Sequence, residues 1–240
     1  MTVMNDNEVA AGLAVEAGAL LLRIRDQGGA AGDQQSNALL LRRLAELRPE
    51  DAVLSEESTD NPIRLERDRV WIIDPLDGTR EYGEPPRQDW AVHVALAVGG
   101  IATVGAVALP AADLVLHTGE PPRPAPVSTE PIRLAVSRTR PPTCVDLLVD
   151  KLGAKTVPMG SAGAKAMAVV RGEVEVYAHS GGQYEWDSCA PVAVAAAAGL
   201  HVSRLDGSPL RYNQPDPYLP DLLICRPELA DTVLAVLRDR

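Results

Sequence analysis

The residues Trp71-Ile72-Ile73-Asp74-Pro75-Leu76-Asp77-Gly78-Thr79-Arg80-Glu81-Tyr82 form an apolar, β-prone run that ends in an acidic turn. Pro75 fixes one φ angle and removes one N–H, so the chain turns sharply after Asp74. Asp77 follows three residues after Asp74, and the turn can bring both carboxylates to one side. The Leu76 carbonyl, which leaves the sheet ladder there, can face the same point. This arrangement predicts an all-oxygen cage for a hard cation such as Mg²⁺.

The end of the same turn offers a second kind of contact. Gly78 and Thr79 carry backbone N–H groups that can receive a phosphate oxygen. A metal and a phosphate in one turn indicate metal-assisted phosphoryl chemistry. The ordinary alternative is that Asp-Pro and Asp-Gly are only turn signals, which either dipeptide alone would favour.

Two other acidic clusters support the functional interpretation. One is Leu54-Ser55-Glu56-Glu57-Ser58, where paired acids follow a short apolar run, and the other is Glu185-Trp186-Asp187-Ser188-Cys189-Ala190-Pro191, where an acid heads a helix rich in Ala and Val. Alone, Glu56 and Glu57 would be a solvated surface pair, and Asp187 would be a helix N-cap. The three clusters in this order are far more specific than any one of them.

Together these residues resemble the inositol-monophosphatase-like superfamily of Mg²⁺-dependent, Li⁺-sensitive phosphatases. Its signatures are a Glu-Glu pair, Asp-Pro-(Leu/Ile)-Asp-Gly-Thr, and a later Trp-Asp before a small-residue helix. The resemblance covers nearly the whole chain. The haloacid-dehalogenase-type phosphatases carry Asp-x-Asp-Gly-Thr with a nucleophilic Asp. Two residues separate Asp74 from Asp77 here, so the spacing does not match that motif.

Within the superfamily the chain resembles the CysQ-type 3′(2′),5′-bisphosphate nucleotidases in their actinobacterial form. The likeness lies in Gly78-Thr79-Arg80-Glu81-Tyr82, Gly160-Ser161-Ala162-Gly163-Ala164-Lys165-Ala166-Met167 and Leu205-Asp206-Gly207-Ser208-Pro209-Leu210-Arg211-Tyr212-Asn213. It implies a hydrolase that converts 3′-phosphoadenosine 5′-phosphate to AMP and phosphate in sulfate assimilation, with 3′-phosphoadenosine 5′-phosphosulfate as a second candidate substrate. Two alternatives stay open. One is inositol monophosphatase or fructose-1,6-bisphosphatase activity, and the other is a non-catalytic nucleotide sensor.

The resemblance also implies a two-metal site, with a third ion left open at Glu57. Glu56, Asp74 and the Leu76 carbonyl would hold one Mg²⁺, and Asp74, Asp77 and Asp187 would hold the second. Thr79 and Asp33 would orient the attacking water, although the Thr that precedes this Asp in the family is missing here. The alternative for Asp33 is a helix cap. The implied substrate contacts are Leu76, Asp77, Gly78, Thr79, Gly160, Ser161, Ala162 and Asp187.

Apolar spacing predicts an α/β protein, with an α+β N-terminal half and an α/β C-terminal half. A first helix is expected from about Asn5 to Asp26, stopped by Gly28-Gly29, and a second from about Ser36 to Leu47. In the second half strands and helices alternate, with a strand from Glu175 to His179 and a helix from Asp187 to Ala198. The resemblance implies a layered α-β-α-β-α sandwich of the sugar-phosphatase type, with the active site between the halves.

The chain is expected to divide into two domains. The stretch from Glu120 to Pro131 contains five Pro and no periodicity, which predicts a linker. The N-terminal α+β domain, which would carry the metal and phosphate site, is expected at 1–122. The C-terminal α/β domain is expected at 131–240.

The net charge and the cysteine content limit which partners and which cellular compartment are expected. The net charge of −10 argues against nucleic-acid polymers and anionic membranes, because both reward a basic surface, but it leaves a small phosphorylated nucleotide open as a substrate. The three Cys have no C-x-x-C spacing, which predicts neither disulfides nor a zinc site and favours a cytoplasmic location. No signal peptide is expected at the N-terminus. The family resemblance leaves a homodimer open.

Overall fold

The computed structural model describes residues 4–124 and 131–238, and these residues form seven α-helices and ten β-strands. The elements of the first half are α1 (Asp6–Arg23), α2 (Gly29–Leu47), β1 (Ala52–Ser55), β2 (Arg69–Asp77), α3 (Thr79–Tyr82), β3 (Ala91–Val98), β4 (Ile101–Leu109) and β5 (Leu114–His117). The elements of the second half are β6 (Arg133–Ser137), α4 (Cys144–Leu152), β7 (Lys155–Met159), α5 (Ala162–Val170), β8 (Val176–Tyr184), α6 (Glu185–Ala197), β9 (His201–Ser203), β10 (Tyr218–Cys225) and α7 (Ala230–Arg238). Short 3₁₀ helices occupy Arg25–Gln27, Pro62–Glu66, Pro110–Ala112 and Pro227–Leu229.

The first sheet has the strand order β1-β2-β3-β4-β5. Strand β1 pairs with β2 in parallel, and the other neighbours are antiparallel. Strand β2 is buried along nearly its whole length, because helices cover both faces of the sheet. This double burial explains why its sequence is a continuous apolar run and not an alternating one.

The second sheet has the strand order β7-β6-β8-β10-β9. Strands β7 and β8 both pair with β6 in parallel, whereas β10 is antiparallel to β8 and β9. The carboxyl ends of parallel strands meet at one edge of a sheet, which is where open α/β sheets commonly bind ligands. The segments that follow β6 and β7 therefore lie close together, beside the later part of β8.

Three clusters of buried apolar side chains hold together five layers, which are three helical layers and the two sheets. One cluster joins α1 and α2 to the first sheet, a second surrounds α5 and α6 between the two sheets, and a third joins α4 and α7 to the outer face of the second sheet. This is the predicted α-β-α-β-α sandwich. Each sheet thus buries both of its faces, as a layered domain requires.

The start of the second helix differs from the prediction. Helix α2 begins at Gly29 and not at Ser36, so Asp33 lies inside the helix and not before it as a cap. Gly28, with φ of 86°, makes the break between the helices. Gly29 lies against the acidic turn, because a Cβ atom there would be 2.3 Å from Cγ2 of Thr79. The glycine pair therefore serves close packing as well as helix termination.

The second sheet is larger than the sequence predicted. Strand β8 extends to Tyr184, well beyond the predicted end at His179, and helix α6 begins at Glu185, ahead of Asp187. Strands β9 and β10 were not predicted. Pro220 lies within β10 and argues against a central strand in the sequence. The pairing of β10 with β8 accommodates it by a register shift between Leu219 and Asp221.

The predicted domain boundary falls between β5 and β6 and stays a prediction. Residues 125–130 of the predicted linker lie outside the described residues. Helix α6 belongs to the second half, yet it packs on β3 and β4 of the first sheet. No helix in the described ranges is both long and apolar enough to cross a membrane.

Candidate active site

Three carboxylates meet where β2 ends and α6 begins. One carboxylate oxygen from each of Asp74, Asp77 and Asp187 lies within 4.8 Å of the others. The first two come from the acidic turn, and the third comes from the first turn of α6 in the second half. Carboxylate oxygens converging at this spacing are the ligands that Mg²⁺ accepts. The structure thus brings together the three Asp residues that the sequence predicted for one ion.

The carboxylates of this cluster repel one another. Burial, followed by the charges of Glu56, Asp77 and Asp187, raises the pKa of Asp74 well above its ordinary value. Desolvation and the charge of Asp187 raise the pKa of Glu56 to about 7, although a hydrogen bond with Asp74 opposes this. Burial and the charge of Asp77 raise the pKa of Asp187 to about 7. A bound divalent cation would relieve this repulsion, so the donor set fits Mg²⁺.

Asp77 has different surroundings, because it meets the N-terminus of α5. Its carboxylate accepts hydrogen bonds from the hydroxyl of Ser161, from the backbone N–H of Ala162 at 3.1 Å and from the backbone N–H of Gly163 at 2.7 Å. A negative charge is favoured at a helix N-terminus. The acidic turn of the first half is therefore joined directly to a helix of the second half.

His93 is a site residue whose role the sequence did not reveal. It lies fully buried on β3, with Nε2 3.2 Å from Oδ2 of Asp77 and Nδ1 3.0 Å from the carbonyl oxygen of Trp186. Burial acts to raise the pKa of Asp77, but its contacts with His93 and the charge of Lys165 lower it to about 2. The sequence feature that could have indicated this role is a single histidine within an otherwise apolar strand. It links the acidic turn to the residue before Asp187.

The predicted pair for orienting water is also brought together. The hydroxyl oxygen of Thr79 lies 3.3 Å from Oδ1 of Asp33 and 3.2 Å from the carbonyl oxygen of Leu76, so its one proton can be donated to either. Burial and the charge of Glu57 raise the pKa of Asp33 to about 6, against the hydrogen bond from Thr79. A carboxyl group titrating near neutral pH is suited to proton transfer. The role of Leu76 as a metal ligand stays a prediction.

Two of the backbone donors expected to meet the substrate already have partners. The N–H of Gly160 donates to Asp89 at 2.6 Å, and the N–H of Ala162 donates to Asp77. Gly78 adopts a left-handed conformation, with φ of 86° and ψ of 44°, which only glycine adopts at low cost. The substrate contacts assigned to Gly78, Gly160, Ser161 and Ala162 stay predictions.

The Glu-Glu pair is anchored to α2 by a residue that the sequence analysis left without a role. Asn37 donates from its amide nitrogen to the carbonyl oxygen of Glu57 at 3.2 Å, and its amide oxygen accepts from the hydroxyl of Ser55 at 2.8 Å. The end of β1 is thereby held beside α2. Glu56 reaches Asp74 from this end, and it stands outside the tight group of three Asp residues.

A cavity of about 280 Å³ opens beside the cluster. Asp77 and Asp187 contribute to its wall, and the remaining lining residues come from the acidic turn, the segment after β6, the start of α5 and β8. These four regions are distant in sequence. The predicted position of the active site, between the two halves, matches the position of this cavity.

The chain matches known proteins over nearly its whole length. It is 51% identical to a 3′-phosphoadenosine 5′-phosphate phosphatase of Mycobacterium leprae (strain TN), over 98% of this chain and 94% of that protein. It is 30% identical to the 3′(2′),5′-bisphosphate nucleotidase CysQ of Escherichia coli (strain K12), over 79% and 81%. The crystal structure of inositol monophosphatase II from Staphylococcus aureus MSSA476 has the same fold, with a TM-score of 0.82 at 20% identity, over 97% and 93%. The inositol monophosphatase family model matches residues 26–239, and the chain belongs to this family.

Proposed function

We propose that this protein is a Mg²⁺-dependent phosphatase that removes the 3′-phosphate of 3′-phosphoadenosine 5′-phosphate, giving AMP and phosphate in sulfate assimilation. The observation that carries the proposal is the convergence of Asp74, Asp77 and Asp187 within 4.8 Å beside an open cavity. The similarity to the Mycobacterium leprae phosphatase supports this substrate. The corresponding phosphosulfate is the second candidate substrate. A cytoplasmic location and a homodimer stay predictions.

The metal ligands of the proposal come from both halves of the chain. Glu56, Asp74 and the Leu76 carbonyl would hold one ion, and Asp74, Asp77 and Asp187 would hold a second. A third ion near Glu57 is left open. When bound, Mg²⁺ supplies positive charge that activates water and stabilises the leaving oxygen. Asp74 serves both ions in this assignment, which makes it the most sensitive ligand.

The remaining chemistry belongs to Asp33 and Thr79. When the Thr79 hydroxyl donates to Asp33, its oxygen lone pairs are free to accept a hydrogen bond from the attacking water. Asp33, whose pKa is raised to about 6, would take a proton from that water. The backbone N–H groups of Gly78 and Thr79 would receive a phosphate oxygen. Water would attack phosphorus directly, because Asp74 and Asp77 would both be committed to metal ions and neither would be left as a nucleophile.

A phosphate-release panel tests the proposal. The substrates are 3′-phosphoadenosine 5′-phosphate, its phosphosulfate counterpart, inositol 1-phosphate and fructose 1,6-bisphosphate, each with Mg²⁺ and with EDTA. We expect the highest kcat/KM for a bisphosphorylated nucleotide and none with EDTA. A higher kcat/KM for either sugar phosphate would replace the substrate assignment. Nucleotide binding without phosphate release would support a sensor and overturn the proposal.

A further inference from the structure

The first turn of α6 is held in place by a contact outside the group of metal ligands. Glu185, the first residue of α6, is fully buried and precedes Asp187 in the same helical turn. Its carboxylate accepts a hydrogen bond from the backbone N–H of Asn213 at 2.6 Å and another from that of Gln214 at 2.8 Å. Hydrogen bonds to an ionised acceptor are stronger than neutral ones. The connection between β9 and β10 is therefore firmly bound to the start of α6.

The backbone of Asn213 is suited to this contact. Its φ of 58° lies in the left-handed region, which asparagine adopts more readily than most residues other than glycine. Successive N–H groups around such a residue can point to one side and bind an anion. In this protein the anion is the carboxylate of Glu185, so the N–H groups have an internal partner.

The side chain of Asn213 makes a second connection, to the first half of the chain. Its amide nitrogen donates to the carbonyl oxygen of Arg64 at 2.9 Å, and its amide oxygen accepts from the Arg64 guanidinium at 2.8 Å. This guanidinium is buried, and it also donates to the carbonyl oxygen of Gln214 at 3.0 Å and to both carboxylate oxygens of Asp60 at 2.6 and 2.9 Å. Arg64, Glu185 and Asn213 are called the Asn213 network below.

The Asn213 network joins the two segments that bring metal ligands from opposite halves. Arg64 lies in the 3₁₀ helix Pro62–Glu66, which contacts β1 and follows Glu56 in the chain. Glu185 lies at the other end of the network and positions the turn that carries Asp187. The carboxylates that meet in the site repel one another when no cation lies between them. A buried connection between these two segments opposes that repulsion.

We propose that the Asn213 network holds Asp187 and Glu56 at the spacing that Mg²⁺ requires before the ion binds. This inference rests on the metal assignment of the proposed function and extends it to three positioning residues. None of the three is among the described residues that line the cavity, so they act through the ligands and not on the substrate. Ligands that are already in position lose less conformational entropy on binding, and the groups that orient them raise the metal affinity.

Asn213→Gly is the first test, because it leaves the net charge unchanged. Glycine accepts the left-handed conformation and keeps the backbone N–H that Glu185 binds, but it removes the bonds to Arg64. We expect the Kd for Mg²⁺, measured by calorimetry on EDTA-treated protein without substrate, to rise by about 3- to 10-fold. The Mg²⁺ concentration for half-maximal phosphate release should rise equally, while kcat at saturating Mg²⁺ stays within about 2-fold of wild type.

Arg64→Met separates positioning from simple charge effects. Removing a positive charge near the site would by itself strengthen Mg²⁺ binding, because the cation and the guanidinium repel. Loss of the Asn213 network acts in the opposite direction, and we expect the Kd for Mg²⁺ to rise by about 10-fold. Arg64→Lys, which can still donate to Asn213, should recover part of the loss. Tighter Mg²⁺ binding in Arg64→Met would overturn the proposal.

Two matched controls remove similar features elsewhere. Asp113→Gly replaces another residue with a positive φ, 52°, in the turn between β4 and β5. Arg204→Met removes an arginine that donates to both carboxylate oxygens of Asp221, and both partners belong to the second half. Both controls should leave the Kd for Mg²⁺ unchanged, whatever they do to the thermal midpoint.

The controls define the outcomes that count against the proposal. Equal Kd values for Mg²⁺ in the wild type and Asn213→Gly would overturn it. A rise in Kd as large in Arg204→Met as in Asn213→Gly would also overturn it, because the effect would then follow from a general loss of stability.

The calorimetric measurement also separates this inference from the proposed function, because it needs no substrate. Weaker Mg²⁺ binding in Asn213→Gly together with no phosphate release by the wild type would reject the proposed function alone. Mg²⁺-dependent phosphate release by the wild type with an unchanged Kd in Asn213→Gly would reject the inference alone. Absence of Mg²⁺ binding to the wild type would reject both.

Discussion

The carboxylate of Asp77 accepts a 2.7 Å hydrogen bond from the backbone N–H of Gly163, so the acidic turn of the first half and helix α5 of the second half meet directly. The approach depends on the absence of a side chain. A Cβ atom at Gly163 would lie 2.1 Å from Nε2 of His93. Because His93 is itself fully buried, it has little room to move. The glycine thus determines how closely the two halves approach at the site.

Gly163→Ala should therefore disrupt the site. Overpacking of this kind costs about 1–3 kcal/mol in the free energy of unfolding. We expect a loss of that size in chemical denaturation, together with a lower kcat. Gly12→Ala is the control, because the nearest atom to its Cβ would be 3.9 Å away and alanine favours the helix. Unchanged stability and activity in Gly163→Ala would show that the contact with His93 does not limit how closely the two halves approach.

Asp74→Asn should remove most of the activity. The substitution keeps the size of the side chain but removes the charge assigned to both ions. We expect kcat to fall by about 10³-fold, the scale of losing a main electrostatic stabiliser. Asp150→Asn, at an exposed position on α4, should leave kcat unchanged. Near-normal turnover of Asp74→Asn at saturating Mg²⁺ would refute the metal assignment.

Thr79→Val tests the pair that orients water. It keeps the shape of the side chain and removes the hydroxyl bonded to Asp33. We expect kcat to fall by about 10²-fold with KM little changed, because the group acts on the attacking water. Thr79→Ser should retain much of the activity, and Thr103→Val on β4 should retain all of it. An effect confined to KM would instead give the Thr79 hydroxyl, like the backbone N–H of this residue, a role in substrate binding.

The metal-free protein should lose stability as pH rises from about 4 to about 7. Glu56 and Asp187 have ordinary pKa values of 4.5 and 3.8, and both are raised to about 7 in the folded state. The folded state then binds more protons than the unfolded state in this interval, so the free energy of unfolding falls as they dissociate. The lowered pKa of Asp77, about 2, acts in the opposite direction and only below about pH 4.

Mg²⁺ should reverse this loss. Because it binds deprotonated carboxylates, it should raise the thermal midpoint more at about pH 8 than at about pH 5. Thermal denaturation with Mg²⁺ and with EDTA at both pH values measures the difference. The Asp74→Asn variant should show a smaller increment. An increment independent of pH would mean that Mg²⁺ binds away from these carboxylates.

Li⁺ should inhibit at concentrations where Na⁺ does not. The cluster of Asp74, Asp77 and Asp187 is a small all-oxygen site, which suits a small cation. Li⁺ carries half the charge of Mg²⁺ and would stabilise the leaving oxygen less well. Phosphate release in LiCl and NaCl at matched ionic strength compares them. Equal rates in the two salts would argue against a site of this kind.

Local sequence patterns predicted the elements more reliably than the contacts between them. The apolar run before Asp74 predicted β2, and the small-residue run after Asp187 predicted α6. The start of helix α2 was predicted too late, because glycines usually indicate a break in a helix. The close packing of Gly29 on Thr79, which requires a glycine there, depends on an element distant in sequence. Strand β10 was missed because Pro220 argues against a strand, and the compensating register shift is a property of the pair.

The amino-acid sequence by itself determined which chemistry this protein can perform. Asp74, Pro75 and Asp77 lie within one turn, and local backbone geometry is enough to place oxygen ligands there. Only the tertiary structure decided that Asp187 closes the group, because its approach depends on α6 packing on the first sheet. Packing likewise placed His93 between Asp77 and Trp186. Such contacts join residues far apart in the chain, and they exist only after both sheets have buried their faces around α5 and α6.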